Sequence, residues 1–139
     1  MIYLDTSAIL KLLRREAETD ALIDHLDEHA HEDLITSALA TVETARALRA
    51  VGAQAAADVA VRGSDRVHLS DDVAIPAVAV SAEVLGLARD LPPVVLRSLD
   101  AIHVATASLA GDQLHHLITY DRRMIGAAAA AGLRTASPE

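Results

Sequence analysis

Cysteine, phenylalanine and tryptophan are absent from this chain of 139 residues, and each absence narrows the chemistry. Without Cys there is no disulfide framework and no thiolate metal site. Two Tyr are the whole aromatic complement, so base-stacking platforms of the kind that grip single-stranded nucleic acid are not expected. The core must instead close on Ala, Val, Leu and Ile. No apolar run reaches the length of a membrane span, and Met1 leads straight into an apolar segment without a basic region before it. Neither a transmembrane helix nor a secretory signal is expected, and the chain reads as cytoplasmic. Basic residues are also scarce: 12 Lys and Arg stand against 20 Asp and Glu, a formal charge of −8. That balance argues against a surface that coats nucleic acid. It does not exclude a nucleic-acid enzyme, because cations held by clustered acids invert the local charge.

What is present fits a single domain over residues 1–139. Hydrophobic residues make up 52% of the chain, and a chain of this length buries roughly two-thirds of its unfolded surface. Short apolar runs alternate with helical patterns. Strands are expected at Ile2–Leu4, Asp33–Ser37, Arg66–Leu69, His115–Thr119 and Leu133–Ala136. Helices are expected near Ser7–Arg15, after Glu18, over Ala38–Ala50 with Leu39, Val42 and Ala45 facing inward, over Gly52–Val61, over Ala77–Arg89 between Pro76 and Pro92, and from Leu99 onward. This alternation predicts an α/β fold, a three-layer α/β/α sandwich around a mainly parallel sheet of four to five strands.

Carboxylates recur where strands end and helices begin. Asp5 follows the first strand, a position where open α/β sheets place ligand crevices, although Asp is also a good helix cap. Asp100 sits in the first turn of a helix, and Asp121 opens another. Glu43 interrupts the apolar half of its helix, so it either pairs with Arg46 or points over the sheet edge toward Asp5. If the four converge, two of them about 4 Å apart repel by about 4 kcal/mol at an effective dielectric near 20. Protonation or a cation must relieve that repulsion, and an oxygen-only donor set suits Mg²⁺ or Mn²⁺. A second cluster, His25, His29 and His31, has one pair at the i, i+4 spacing of a helical metal site. It lacks the Glu after the first His and an evident third ligand, so exposed histidines are the expectation there.

The motifs Y-L-D-T-S-A (Tyr3–Ala8), T-V-E-T-A-R-A-L (Thr41–Leu48), R-S-L-D-A-I-H-V-A-T-A (Arg97–Ala107) and I-T-Y-D-R-R-M (Ile118–Met124) resemble, in this order, the PIN-domain ribonucleases, and among them the VapC-type toxins of bacterial toxin–antitoxin pairs. The resemblance spans the chain. It implies that Asp5, Glu43, Asp100 and Asp121 form a catalytic Mg²⁺ or Mn²⁺ site, that Ser7 or Thr119 orders it, and that the reaction is endonucleolytic cleavage of RNA. It also implies a homodimer, with Leu85 and Leu87 as candidates for its packing. A small antitoxin partner would place an Arg on the acids and a helix along Leu10, Leu13, Leu39 and Leu48. Arg97, Arg122 and Arg123, with Lys11, Arg14 and Arg15, flank the motifs and are candidates for RNA phosphates, and Ser7 and Thr119 are candidates for polar contacts to the RNA. His103, three residues after Asp100, reads as a packed or outer-sphere histidine rather than a ligand. Two rival readings stand beside this one. Asp5 as a covalent nucleophile in a phosphoryl-transfer or dehalogenase-like domain would want a second Asp at position 7 and a well-placed Lys, whereas position 7 is Ser and Lys11 is the lone Lys. A metal-free PIN-like interaction module would use the acids only as caps.

Overall fold

A computed structural model describes all of residues 1–139. The chain runs β1 (Ile2–Leu4), α1 (Thr6–Leu13), α2 (Thr19–Glu28), β2 (Leu34–Ser37), α3 (Ala38–Ala50), α4 (Gln54–Ala60), β3 (Arg66–His68), β4 (Ala74–Val78), α5 (Ala82–Asp90), α6 (Ser98–Ser108), a single 3₁₀ turn, β5 (His116–Ile118), α7 (Arg122–Ala130) and β6 (Thr135–Ala136). One six-stranded sheet has the order β3-β4-β2-β1-β5-β6, and only β3 runs antiparallel to its neighbour. No helix is long and apolar enough to cross a membrane.

The central strand feeds two cores by simple alternation. Successive strand residues point to opposite faces, so Ile2 and Leu4 join Ala8, Ile9, Leu22 and Ala40 on the face covered by α1, α2 and α3. Tyr3 joins Val104, Met124, Ala127 and Ala128 beneath α6 and α7. Strand β5 repeats the pattern, with Ile118 in the first core and Leu117 in the second. Helices on both faces of a mainly parallel sheet make the expected three-layer sandwich.

The sheet carries six strands rather than four to five. The strand not foreseen is β4, because Pro76 lies inside it. The Ala77 N–H donates to the Asp65 carbonyl, so by alternation the Pro76 nitrogen faces β2, and the pairing with β2 begins only at Ala77. A residue without an N–H is tolerated at that point. Helix α5 accordingly starts at Ala82, not Ala77, with the Ser81 hydroxyl accepting the Val84 N–H as cap. The inner face of α3 also differs from expectation: Val42 is 56% exposed, while Thr41, Thr44, Ala45 and Leu48 are buried. Two threonines on the buried face shift the apolar stripe away from what hydrophobicity alone indicates.

Chain direction at the ends of α3 and α7 is set by glycine. Gly132 takes φ +78° after α7, its N–H donates to the Ala129 carbonyl, and the Leu133 N–H donates to that of Ala128. This paired closure needs a left-handed residue. It returns the chain to lay β6 on β5. Gly52 does the same after α3.

Candidate active site

Sheet order brings the sequence-distant acids together. From β1 the chain moves to β2 and β4 on one side, and β5 and β6 lie on the other. The carboxyl ends of β1 and β5 therefore flank a topological switch point, where open α/β sheets bind ligands. Asp5 leaves β1, Asp121 follows β5, Glu43 rides on α3 just after β2, and Asp100 occupies the first turn of α6. All four line one recess of about 150 Å³, together with Thr6, Ser7, His103 and Met124. Asp100 and Asp121 are close enough for the charge of one to raise the pKa of the other.

Asp5 is both cap and site residue. It is 2% exposed, and its Oδ1 accepts from the Ala8 N–H at 2.9 Å and the Ser7 hydroxyl at 2.6 Å, while Oδ2 accepts from the Thr119 hydroxyl at 2.6 Å. Both hydroxyl directions are fixed. Ser7 Oγ itself accepts the Tyr120 N–H, and Thr119 Oγ1 accepts the Asp121 N–H, so their protons must point at the carboxylate. Burial pushes the Asp5 carboxyl above its ordinary range, and the bonds from Ser7, Thr119 and Ala8 oppose it. Thr119 is fully buried, which removes it as an RNA contact. Its hydroxyl serves Asp5 instead.

Glu43 points over the sheet edge and makes no pair with Arg46. Its Oε2 accepts from the Thr6 hydroxyl at 2.5 Å and lies 2.7 Å from His103 Nε2. His103 is 2% exposed, and its Nδ1 lies 2.7 Å from the Tyr3 hydroxyl. Burial holds that phenol well above its ordinary range. Tyr3 therefore donates to Nδ1, which leaves the ring proton on Nε2, aimed at Glu43. Burial pushes Glu43 up, but His103 and Thr6 together outweigh it and hold the carboxyl below its usual value. Tyr3 and Thr6 went unnoticed in the sequence. The available signal was a single aromatic hydroxyl inside a buried strand, which must find a partner.

Asp100 has the opposite environment. Its Oδ2 is buried without any hydrogen-bond partner. Burial, and then the nearby Asp121, raise its pKa, partly offset by Arg97. Asp121 caps α7 by accepting the Arg123 N–H at 2.8 Å, and Arg123 Nε stands 3.8 Å from the same oxygen. Glu43 Oε1, both Asp100 oxygens and Asp121 Oδ2 thus remain without protein donors. A buried, unpartnered carboxylate oxygen beside three more acids is a donor set that fits a hard divalent cation.

The basic candidates divide. Lys11 is committed elsewhere, its Nζ at 2.9 Å from Glu16 and 2.6 Å from Glu18, and Arg15 pairs with Asp20. Arg97, Arg122 and Arg123 are exposed around the rim of the acidic recess. Arg122 and Arg123 fill the first turn of α7, where the helix dipole disfavours cations. Helix stability therefore does not explain them. They line a neighbouring groove of about 420 Å³ with Pro92, Pro93, Val95 and Leu96. Of the apolar residues expected to receive a partner helix, Leu48 is fully buried and Leu10 and Leu13 pack against it. The core and α4 therefore take up Leu48, whereas Leu10, Leu13 and Leu39 stay half-buried.

Comparison with known proteins gives a consistent picture. The PIN domain family matches residues 2–130. Ribonuclease VapC35 of Mycobacterium tuberculosis is 44% identical over 143 residues, covering 99% of this chain and 97% of the relative. Ribonuclease VapC46 of the same organism is 42% identical over 137 residues and Ribonuclease VapC47 is 38% identical over 140, with the same coverage.

Proposed function

Because the chain belongs to the PIN-domain family, among the VapC ribonucleases, we propose that it is a divalent-metal-dependent endoribonuclease, a toxin that cleaves cellular RNA to inhibit translation and is neutralised by a cognate antitoxin. The observation that carries the metal requirement is the buried, unpartnered Asp100 Oδ2 within a recess of four acids. Keeping that buried carboxylate ionised beside another acid has a cost that a bound cation offsets. The metal ligands in this reading are Asp5, Glu43, Asp100 and Asp121, and the ion is Mg²⁺ or Mn²⁺. When bound, such an ion supplies a water acidic enough to attack near neutral pH and countercharge for the departing oxygen.

The chain's own residues set the stage for that chemistry. Ser7 and Thr119 lock the Asp5 carboxylate in one orientation and keep it acceptor-only, with one lone-pair direction left for the recess. The His103 Nε2–H and the Thr6 hydroxyl both hold Glu43 by Oε2, which keeps it ionised and turns Oε1 free. Arg97, Arg122 and Arg123 hold RNA phosphates at the rim, where their charge offsets that of the acids. The covalent-nucleophile alternative is disfavoured by Asp5 itself, which is 2% exposed and already accepts three hydrogen bonds.

Residues 1–139 form one PIN domain in this reading. Strand β6 lies beyond the matched residues yet pairs with β5. The reading places the protein in the cytoplasm with its RNA. It also includes a homodimer packed through α5, where Leu85 is 50% and Leu87 is 44% exposed. Light scattering that returned a monomer mass at tens of micromolar would remove the dimer. The antitoxin's Arg takes the place of the cation on the acids, since a guanidinium fork bonds carboxylates bidentately. The deciding experiment incubates the purified protein with total RNA in Mg²⁺, in Mn²⁺ and in EDTA, and sequences the ends produced. Discrete new ends that require metal support the proposal. Undiminished cleavage in EDTA, or no cleavage of any RNA with either ion, defeats it.

A further inference from the structure

Of the three histidines expected to be exposed, His31 is, while His25 and His29 are half-buried and join His115 and His116 in one knot at the other end of the sheet from the acidic recess. His25 lies in the last turn of α2, and His29 follows as its cap. His115 and His116 enter β5 at its amino end. The His25 and His116 rings meet at a centroid separation of 5.0 Å, those of His25 and His29 at 4.5 Å, those of His29 and His115 at 5.2 Å, and those of His115 and His116 at 4.9 Å. Ligand-capable atoms of His25, Glu28 and His29 all lie within 4.8 Å of one another. Glu28 makes no ion pair, whereas the neighbouring Glu32 is taken by the amino terminus of Met1. We propose that His25, Glu28 and His29, with His116 beside them, form a second metal site, for a transition ion of the Zn²⁺ class, tying the end of α2 to β5.

Several features of the knot favour a cation over simple packing. The His29 Nδ1–H donates to the His25 carbonyl at 2.8 Å, which fixes the tautomer and leaves the Nε2 lone pair free. An outer bond of that kind is what orients a metal-binding imidazole. His25 Nε2 and His116 Nε2 face each other at 2.9 Å, and the Nδ1 atoms of His115 and His116 face at 2.6 Å. Each contact has room for one proton between two ring nitrogens, so one nitrogen of each pair presents a lone pair. Tetrahedral Zn–N bonds of about 2.0–2.1 Å set neighbouring ligand atoms roughly 3.3 Å apart, so rotamer adjustments suffice for closure. The site also sits at the carboxyl end of α2, where the helix dipole favours positive charge. Burial, then His25 and His115, push His116 down to about 4, and burial with His29 lowers His25. The set of two imidazoles and a carboxylate selects Zn²⁺, Ni²⁺ or Co²⁺ over the Mg²⁺ suited to the acidic recess.

The test uses the full chain without any histidine tag. Zn²⁺ is titrated calorimetrically, Co²⁺ by its visible absorption, and the ring nitrogens are followed by long-range ¹H–¹⁵N NMR. The wild type and Asp100→Asn are expected to bind alike at this site, with Zn²⁺ shifting the signals of His25 and His29. The double variant His25→Gln with His29→Gln is expected to lose more than tenfold in affinity. Glu28→Gln, an exposed change that leaves the fold intact, is expected to weaken binding without abolishing it. The proposal falls if Asp100→Asn removes all Zn²⁺ binding, if only His31 and His68 respond in the spectrum, or if Glu28→Gln and the double variant bind as the wild type does.

Discussion

Replacing Asp100 by Asn tests the acidic recess through stability as well as activity. In the wild type, Oδ2 is buried without a donor, and Asp121 adds like-charge repulsion. An amide in the same place is also unpartnered, but a neutral group is far less costly to desolvate than a carboxylate. Leaving a buried polar group unsatisfied costs about 1–3 kcal/mol. Asp100 is half-buried, so solvent screening brings the expected gain of the variant to about 1 kcal/mol, or about 4 °C in Tm for a chain of this size. Metal reverses the order. At a concentration near 100 times Kd, a bound ion stabilises the wild type by about 2.7 kcal/mol, and the variant, short of one ligand, gains little. The pH dependence has a definite sign. The folded carboxyl holds its proton above the ordinary 3.8, so through that window the native state binds more protons than the unfolded one. The Asp100 contribution to metal-free stability therefore falls as pH rises across it, as does that of Asp5, against the rise from acids held low such as Glu43, and Asp100→Asn removes its own share of the fall. Thermal melts in EDTA and in Mg²⁺, run beside RNA cleavage, give all three readouts. A variant less stable than the wild type in EDTA, equally stabilised by Mg²⁺ and equally active, would refute the assignment of Asp100.

Other perturbations address the surroundings. Arg122→Ala with Arg123→Ala should weaken binding to a catalytically dead protein and lower the slope of log affinity against log salt by roughly 1.4, with stability unchanged; an unaltered slope in a filter-binding assay removes both residues from the RNA path. His103→Leu takes away the donor that keeps Glu43 low, so the acid limb of the pH–rate profile should move to higher pH and the rate fall by about 10–100-fold, with His103→Gln, whose amide can still donate, partly restoring both; an unmoved limb leaves His103 a packing residue only. Gly132→Ala meets nothing within 4 Å, so its expected cost of about 1–2 kcal/mol in urea unfolding is the left-handed backbone alone, and a neutral result contradicts the φ of +78°.

Much of the acidic site is legible because it is written locally. Asp5, Asp100 and Asp121 each stand where an apolar pattern changes period, and such boundaries can be read from a few neighbouring residues. Strand β4 was hidden by Pro76, whose usual meaning is a break, and only the register with β2 and β3 shows why it is tolerated there. Contacts between distant residues carry no such local mark. Tyr3 and His103 are 100 positions apart, His103 and Glu43 are 60 apart, and His25 and His116 are 91 apart. Sequence spacing could pair His25 with His29 but could not supply His116, and so the histidines looked exposed.

What joins these remote residues is the pairing of β1 with both β2 and β5. That register sets Leu4 opposite Ile118, so the next positions, Asp5 and Thr119, emerge side by side and their hydrogen bond follows. The same strand pair places His116 beside Ile2 at the other end, on the face that α2 covers. A slip of one residue between β1 and β5 would exchange the faces of Leu117 and Ile118. It would also part Asp5 from Thr119 and turn His116 away from His25. The acidic recess and the histidine knot are thus two ends of one register, and the aliphatic alternation that buries β1 and β5 is what holds both in place.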